Sequence, residues 1–232
     1  MTKKFAAILS FFVLVLGTMT SSAVAGGFGF GVTGMQTHFE ADATEKLQNS
    51  QSAGTYDQTT SASKIINNFL GSGFVQYQFG DNGFAIGFEA IPGSAELAAR
   101  TQTRTDITTA AGTATSVTQT GQAEVDDHWS VYVESPAFSP FHLYATVAYG
   151  EVDVNTGESL GTGASYGNTT ISHTTFGLGS KHIIGDHIIV KFEASATDYD
   201  DMEFLSSGSS AVTTITANLD SIQAGVSLGF QF

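Results

Sequence analysis

The chain has 232 residues, of which 8 are Lys or Arg and 22 are Asp or Glu, and its formal net charge at pH 7 is −14. This acidic balance argues against nucleic acid as a partner, because contacts to phosphates require basic surfaces. The absence of cysteine excludes a disulfide framework, thiolate metal sites and thiol nucleophiles.

The first 25 residues have the pattern of a secretory signal peptide. Two lysines precede the apolar run Phe5–Leu16, and Ala23–Ala25 supplies a small-x-small cleavage site. The apolar run is too short for a transmembrane helix, which needs roughly 20 residues. We therefore expect cleavage after Ala25, which leaves a mature domain over 26–232 with 6 basic and 22 acidic residues and a formal charge of −16.

Period-two alternation of apolar and polar residues recurs along the mature chain and predicts strands. It is clearest at the C-terminus, where the even-numbered residues from Ile222 to Phe232 are apolar and the odd-numbered ones are polar or glycine. Such a strand lies between lipid and a polar interior. In chain order, the predicted strands cover residues 27–32, 75–79, 84–90, 129–134, 142–149, 175–179, 188–197 and 221–232.

The connections between these strands alternate in length. Short turns are predicted near 80–83, 135–141 and 184–187, and long polar loops over Glu40–Ser63, Gly93–Glu124, Asn155–Asn168 and Tyr199–Val212. Short turns at one rim and long loops at the other are typical of bacterial outer-membrane barrels, with both termini on the periplasmic side. Within the long loops, the Thr- and Ser-rich segments Thr101–Gly121 and Leu205–Thr216 predict mobile loops or β-hairpin extensions.

A sheet that crosses lipid must close, because lipid cannot satisfy an open edge. The sequence therefore predicts an all-β fold, an antiparallel up-and-down transmembrane barrel of about eight strands in the bacterial outer membrane. Eight strands leave an interior just wide enough for side chains to fill. The first strand breaks the pattern, since Gln36 and His38 would otherwise face lipid, and this indicates a bulge or a strand leaving the membrane.

Two features resemble known outer-membrane proteins. The final segment Val226–Phe232, with Val226, Leu228, Phe230 and Phe232 alternating, resembles the terminal signal that the barrel assembly machinery reads. The phrases Phe79–Phe84 and Gly177–His182, with Lys191–Glu193 after the next turn, look like the OmpX and OmpA-type small barrel superfamily. This resemblance implies an ion-paired plug in the lumen. The implied partners are outer-membrane lipid, lipopolysaccharide and, during insertion, the assembly machinery.

Charged residues on the predicted lumen faces must be paired, because an isolated buried ion costs several kcal/mol. Glu89 and Glu193 each lie about six residues beyond a short turn and Lys191 about four, so the three reach similar depths. We expect them to form a structural ion-pair network, with a gated ion path as the alternative.

Acidic residues crowd the predicted long-loop rim. Those best placed to bind Ca²⁺ or Mg²⁺ are Asp126, Asp127, Asp198, Asp200 and Asp201, although their spacing matches no EF-hand loop. The alternative, solvated loop charge, is favoured. No cofactor is expected.

The expected function is a structural or surface-interaction role through the long acidic loops of a side-chain-filled barrel, without enzyme activity. The first alternative is a narrow channel for small or apolar solutes, which a continuous lumen or a lateral gap between apolar residues would favour. A remote alternative is a lipid-modifying hydrolase. Ser172 and His173 point to opposite strand faces, but His173 and Thr175 share one.

Overall fold

The computed structural model describes residues 26–48, 56–80, 83–107, 114–159, 165–185, 187–206 and 212–232, so the predicted signal segment lies outside the described residues. The described residues contain ten strands. These are β1 (Gly27–Gln48), β2 (Tyr56–Gln78), β3 (Ala85–Ile91), β4 (Ala95–Ile107), β5 (Ala114–Glu134), β6 (Leu143–Ser159), β7 (Thr169–Ile184), β8 (Ile188–Tyr199), β9 (Met202–Leu205) and β10 (Val212–Gln231). Within the same part of the chain, no helix has the length and apolar character needed to cross a membrane.

Eight of these strands form a closed antiparallel ring. The order is β1, β2, β3, β5, β6, β7, β8 and β10, and β10 pairs back onto β1 from Gly29↔Gln231 to Gln48↔Val212. The eight strands coincide with the eight predicted segments, so the predicted barrel is confirmed.

The two remaining strands continue strands of the ring. β3 and β4 are separated by Pro92, Gly93 and Ser94, and both pair with β5. Proline has no N–H for a ladder, and Gly93 has a φ of +89°, which favours glycine. In the same way, β9 follows β8 after Asp200 and Asp201, and both pair with β10.

The predicted long loops are wrong for most of their length, because the strands extend far into them. β1 continues to Gln48, β5 begins at Ala114 and β6 reaches Ser159. Threonine favours strands, and hydroxyl pairs join β4 to β5: Thr101 to Thr120 at 3.2 Å and Thr103 to Thr118 at 2.9 Å. The hairpin-extension interpretation of these polar segments is the correct one for the described residues.

The predicted bulge in the first strand is also wrong. The pairing of β1 with β2 has no register shift between Gly27 and Leu47, so Gln36 and His38 lie on the outward face of β1 together with Val32 and Glu40. Their polar atoms are satisfied by β2: Gln36 Nε2 donates to the Asn68 carbonyl at 3.0 Å, and the His38 ring bonds to Asn67 Oδ1 at 2.8 Å.

The short turns, the start of β1 and the end of β10 all lie at one end of the barrel, which we call the short-turn end. There the Phe79 N–H donates to the Phe84 carbonyl at 2.9 Å across the first turn, whose Asp81 and Asn82 lie outside the described residues. The outward faces toward this end are apolar and exposed, among them Phe30, Leu178 and Leu228. This outer band is the surface that lipid covers in such a barrel.

At the opposite end, which we call the hairpin end, the ring divides into two sheets that face each other. One sheet contains β9, β10, β1 and the first part of β2; the other contains β4, β5, β6 and the start of β7. Their inward faces pack in one apolar cluster, with Phe39 and Leu219 from the first sheet and Val125 and Val152 from the second. The lumen is therefore apolar at the hairpin end.

Candidate functional site

A buried carboxylate and two buried lysines form the centre of the lumen near the short-turn end. Glu134 at the end of β5 is 1% exposed, Lys181 of β7 4% and Lys191 of β8 5%. The Lys181 ammonium donates to Glu134 Oε2 at 3.0 Å, and Lys191 donates to Glu134 Oε1. One carboxylate thus pairs with ammonium groups from two neighbouring strands, β7 and β8.

Glutamines of β2 complete the shell around the lysines. Gln76 Oε1 accepts from Lys191 Nζ at 3.0 Å and from the Tyr132 hydroxyl at 3.1 Å. Gln78 Oε1 accepts from Lys181 Nζ at 3.3 Å. Ion pairs in a nearly dry interior need such additional hydrogen bonds to offset their desolvation.

Tyrosine rings fill the space that remains, and glycines directly opposite them on the neighbouring paired strands make room for the rings. A Cβ on Gly87 would lie 2.2 Å from Cζ of Tyr132, and a Cβ on Gly179 would lie 2.8 Å from the ring of Tyr144. Tyr144 donates to Glu193 Oε2 at 2.7 Å. We call these ion pairs, glutamines and tyrosines the polar plug.

The three residues singled out from the sequence, Glu89, Lys191 and Glu193, line the same space within the lumen. Lys191 pairs with Glu134, Glu193 accepts from Tyr144, and Glu89 accepts from the Ser72 hydroxyl. The central pair of the plug, Glu134 and Lys181, was not predicted from the sequence. The signal was present, since Glu134 shares the inward face of its strand with Tyr132 and Ser130.

The five candidate cation-binding acids do not form a common site. Asp126 and Asp127 sit at the irregularity of β5, where the Asp127 N–H donates to Asp126 Oδ1 at 2.8 Å. Asp198 faces outward opposite Asp220, and Asp201 accepts from Asn218 at 2.6 Å. Asp200 donates its N–H to the Ser172 carbonyl. No group of three or more His, Asp or Glu that could hold a metal occurs within the described residues.

The residues of the hydrolase alternative are engaged elsewhere. His173 faces the lumen, where Nε2 lies 3.3 Å from the Trp129 carbonyl. Thr175 Oγ1 bonds to Thr197 Oγ1 at 2.8 Å. The residues of the predicted C-terminal assembly signal, Val226, Leu228, Phe230 and Phe232, all lie exposed on the outer band.

An apolar chamber lies above the polar plug, between the two facing sheets. Its cavity measures about 220 Å³. The walls come from both sheets: Ala41, Ala43, Met202, Phe204, Ile215, Ala217 and Leu219 from the first, and Leu97, Ala123, Val154 and Tyr166 from the second and the segment before β7. Since few polar groups reach it, this space suits an apolar solute.

One part of the wall toward the hairpin end lacks ladder pairing among the described residues. β2 pairs with β3 only from Gly73 to Gln78, and no described pairing joins the rest of β2 to β4, although the two strands stay in contact. We call this unpaired boundary the β2/β4 seam. A further cavity of about 20 Å³ lies at the seam, lined by Leu70 of β2 and by Ile91, Gly93 and Ala95 at the break between β3 and β4.

His128 marks the boundary between the chamber side and the plug. It lines both the seam cavity and the space around the plug, as do Ile91 and Gln223. Its ring stacks on that of His173 with centroids 4.3 Å apart, and His173 lies against Tyr199 at 5.5 Å. Ring side chains therefore close the lumen at mid-depth.

Comparison with known proteins supports the same fold. No protein-family model matches the chain, and no curated protein matches it. Among solved structures, outer membrane protein OprG from Pseudomonas aeruginosa superposes with a TM-score of 0.53 at 10% identity, over 91% of this chain and 98% of that one.

Two other solved barrels resemble the chain less closely. Outer membrane protein AlkL, solved in lipid bilayers, gives a TM-score of 0.48 at 12% identity, over 93% of this chain and 94% of that one. Ail, the attachment invasion locus protein of Yersinia pestis, gives 0.37 at 11% identity, over 87% and 99%. By the closed ring of eight strands and the likeness to OprG, the chain has the fold of the small bacterial outer-membrane β-barrels.

Proposed function

We propose that this barrel binds small apolar solutes in the apolar chamber and releases them sideways into the membrane through the β2/β4 seam. The observation that carries the proposal is the cavity of about 220 Å³ between two apolar sheet faces. An apolar cavity of about 150 Å³ stays dry and binds benzene, so the chamber has room for a solute of that size or somewhat larger.

The polar plug argues for a sideways route. A solute moving along the barrel axis would have to displace Glu134, Lys181 and Lys191 from one another, although all three are almost completely buried. Separating buried charges costs several kcal/mol, and an apolar molecule offers them no replacement partner. A solute that leaves through the β2/β4 seam does not have to pass the polar plug, because the seam lies in the wall above the plug.

Two large apolar side chains lie on the outer surface beside the seam. Phe69 and Ile65 of β2 face outward and are 76% and 57% exposed, with Asn67 between them. A solute that leaves past Leu70 and Ala95 therefore meets Phe69 on the outer surface. The structural or surface-interaction role expected from the sequence stays a prediction, since the described hairpins carry no feature that identifies a surface partner.

Uptake by cells tests this route. Gram-negative cells that express the chain should take up radiolabelled ethylbenzene faster than cells with an empty vector, because lipopolysaccharide slows apolar solutes. Ala95→Trp should lower the initial rate toward the vector level, since Ala95 is buried at the seam. Ala194→Trp, on the outward face of β8, is the matched control and should keep the full rate. Equal rates for both tryptophan variants at equal folded amounts would contradict the route.

A further inference from the structure

We infer that the solute of the apolar chamber carries one N–H or O–H donor, which binds the carboxylate of Glu158, with small amines as the preferred class. This inference rests on the proposed function and narrows its substrate class. It begins from the strand face that forms one chamber wall, where Val152, Val154, Thr156 and Glu158 of β6 follow one another at every second position. The apolar face thus ends in a carboxylate.

The two oxygens of that carboxylate have different surroundings. Oε1 accepts a hydrogen bond from the backbone N–H of Tyr166 at 2.6 Å, which fixes the carboxylate against the wall. Oε2 is buried and has no hydrogen-bond partner among the described residues. Glu158 and Tyr166 both line the chamber. The chamber therefore contains an acceptor that is held in place and that no described residue uses.

An unused buried acceptor favours a ligand that brings a donor. A buried carboxylate oxygen without a hydrogen-bond partner costs more free energy than a neutral oxygen in the same position. A ligand that donates a hydrogen bond to this oxygen recovers that free energy on binding. An ammonium group also neutralises the charge, whereas a carboxylate on the ligand would be repelled. The Tyr166 ring in the same wall adds a surface that favours cations.

Three ligands with the same number of heavy atoms test the inference: benzylamine, benzyl alcohol and ethylbenzene. The barrel, purified from membranes with ¹³C-methyl methionine and held in lipid nanodiscs, is titrated with each. The methyl signal of Met202, which lines the chamber, gives the dissociation constant. Benzylamine should bind at least about ten-fold more tightly than ethylbenzene, and benzyl alcohol in between. Glu158→Gln should weaken benzylamine about ten-fold and leave ethylbenzene unchanged.

Glu203→Gln is the matched control, because Glu203 faces outward on β9 and is exposed. It should change none of the three constants. If all three ligands bind wild type equally, or if Glu158→Gln weakens all three alike, the donor preference is wrong and the apolar chamber stands. If neither ethylbenzene nor benzylamine binds, the chamber itself fails as a ligand site. Glu158→Leu provides a second variant, and selective loss of benzylamine there supports the same contact.

Discussion

Removal of the Glu134 carboxylate should destabilise the barrel strongly. At a separation of 3.0 Å and an effective dielectric constant of about 20, its attraction to Lys181 is about 5 kcal/mol, and Lys191 adds a second pair. Desolvation offsets much of this gain in the intact plug. In Glu134→Gln, however, both lysines stay buried without their counter-charge, so we expect the free energy of unfolding to fall by about 3–5 kcal/mol.

Urea unfolding of the barrel in lipid vesicles measures this loss, with the fluorescence of Trp129, the single tryptophan, as the signal. The partly compensated variant Glu134→Gln/Lys181→Met should recover part of the stability, because it removes one unpaired ammonium group and leaves Lys191 in the space that Glu89 and Glu193 also line. The exposed control Glu203→Gln should stay within about 0.5 kcal/mol of wild type. A loss below about 1 kcal/mol in Glu134→Gln, or a double variant no more stable than the single one, would refute the reasoning.

Three further results are expected. Gly87→Ala should lower the free energy of unfolding by about 1–3 kcal/mol, since the new Cβ clashes with the Tyr132 ring, whereas Gly121→Ala, with open space at its Cβ, should have little effect in the same urea assay. Planar-bilayer recordings of the wild-type barrel should show no stable ion conductance, because the polar plug fills the lumen. Asp220→Asn should raise stability at pH 7, because burial, together with Asp198 and other acids nearby, raises the pKa of the Asp220 carboxyl on the outer surface above the apolar band.

The sign of the Asp220 effect follows from linkage. A carboxyl whose pKa is higher in the folded state stabilises the fold when protonated, and that stabilisation is lost as the pH rises through the folded pKa. The advantage of Asp220→Asn over wild type should therefore shrink as the pH falls through the raised folded pKa and be lost below the ordinary carboxyl pKa of about 4. An advantage that is independent of pH, a Gly121→Ala loss equal to that of Gly87→Ala, or steady channel openings would each contradict the corresponding prediction.

The membrane-facing half of the fold was predictable from the sequence. Lipid on one side and polar groups on the other impose alternation, so the even-numbered residues from Ile222 to Phe232 lie outward as expected. The strand extensions carry no such signal. Polar strands outside the apolar band resemble loops in composition, as Thr101 and Thr103 show, and their pairing with β5 depends on contacts across the hairpin.

The candidate site was predictable only in part. The inward faces of Glu89, Lys191 and Glu193 follow from strand alternation. Glu134 meets Lys181 and Lys191 across the lumen because of the tilt and register of the strands. Tilt and register cannot be read from a single sequence. The β2/β4 seam is the stretch where no described pairing joins β2 to β4, and the strand break at Pro92 is the sequence feature that indicates it.

The central claim is that small apolar molecules bind in the chamber above the plug, and methionine methyl NMR tests it most directly. Met202 lines the chamber, and Met35 lines the space around the plug, so the barrel contains both a reporter and an internal control. With ethylbenzene added to the labelled barrel in nanodiscs, the account predicts a shifted Met202 signal with magnetisation transfer from the ligand ring, and an unchanged Met35 signal. An unchanged Met202 signal, or equal transfer to both methionines, would contradict it.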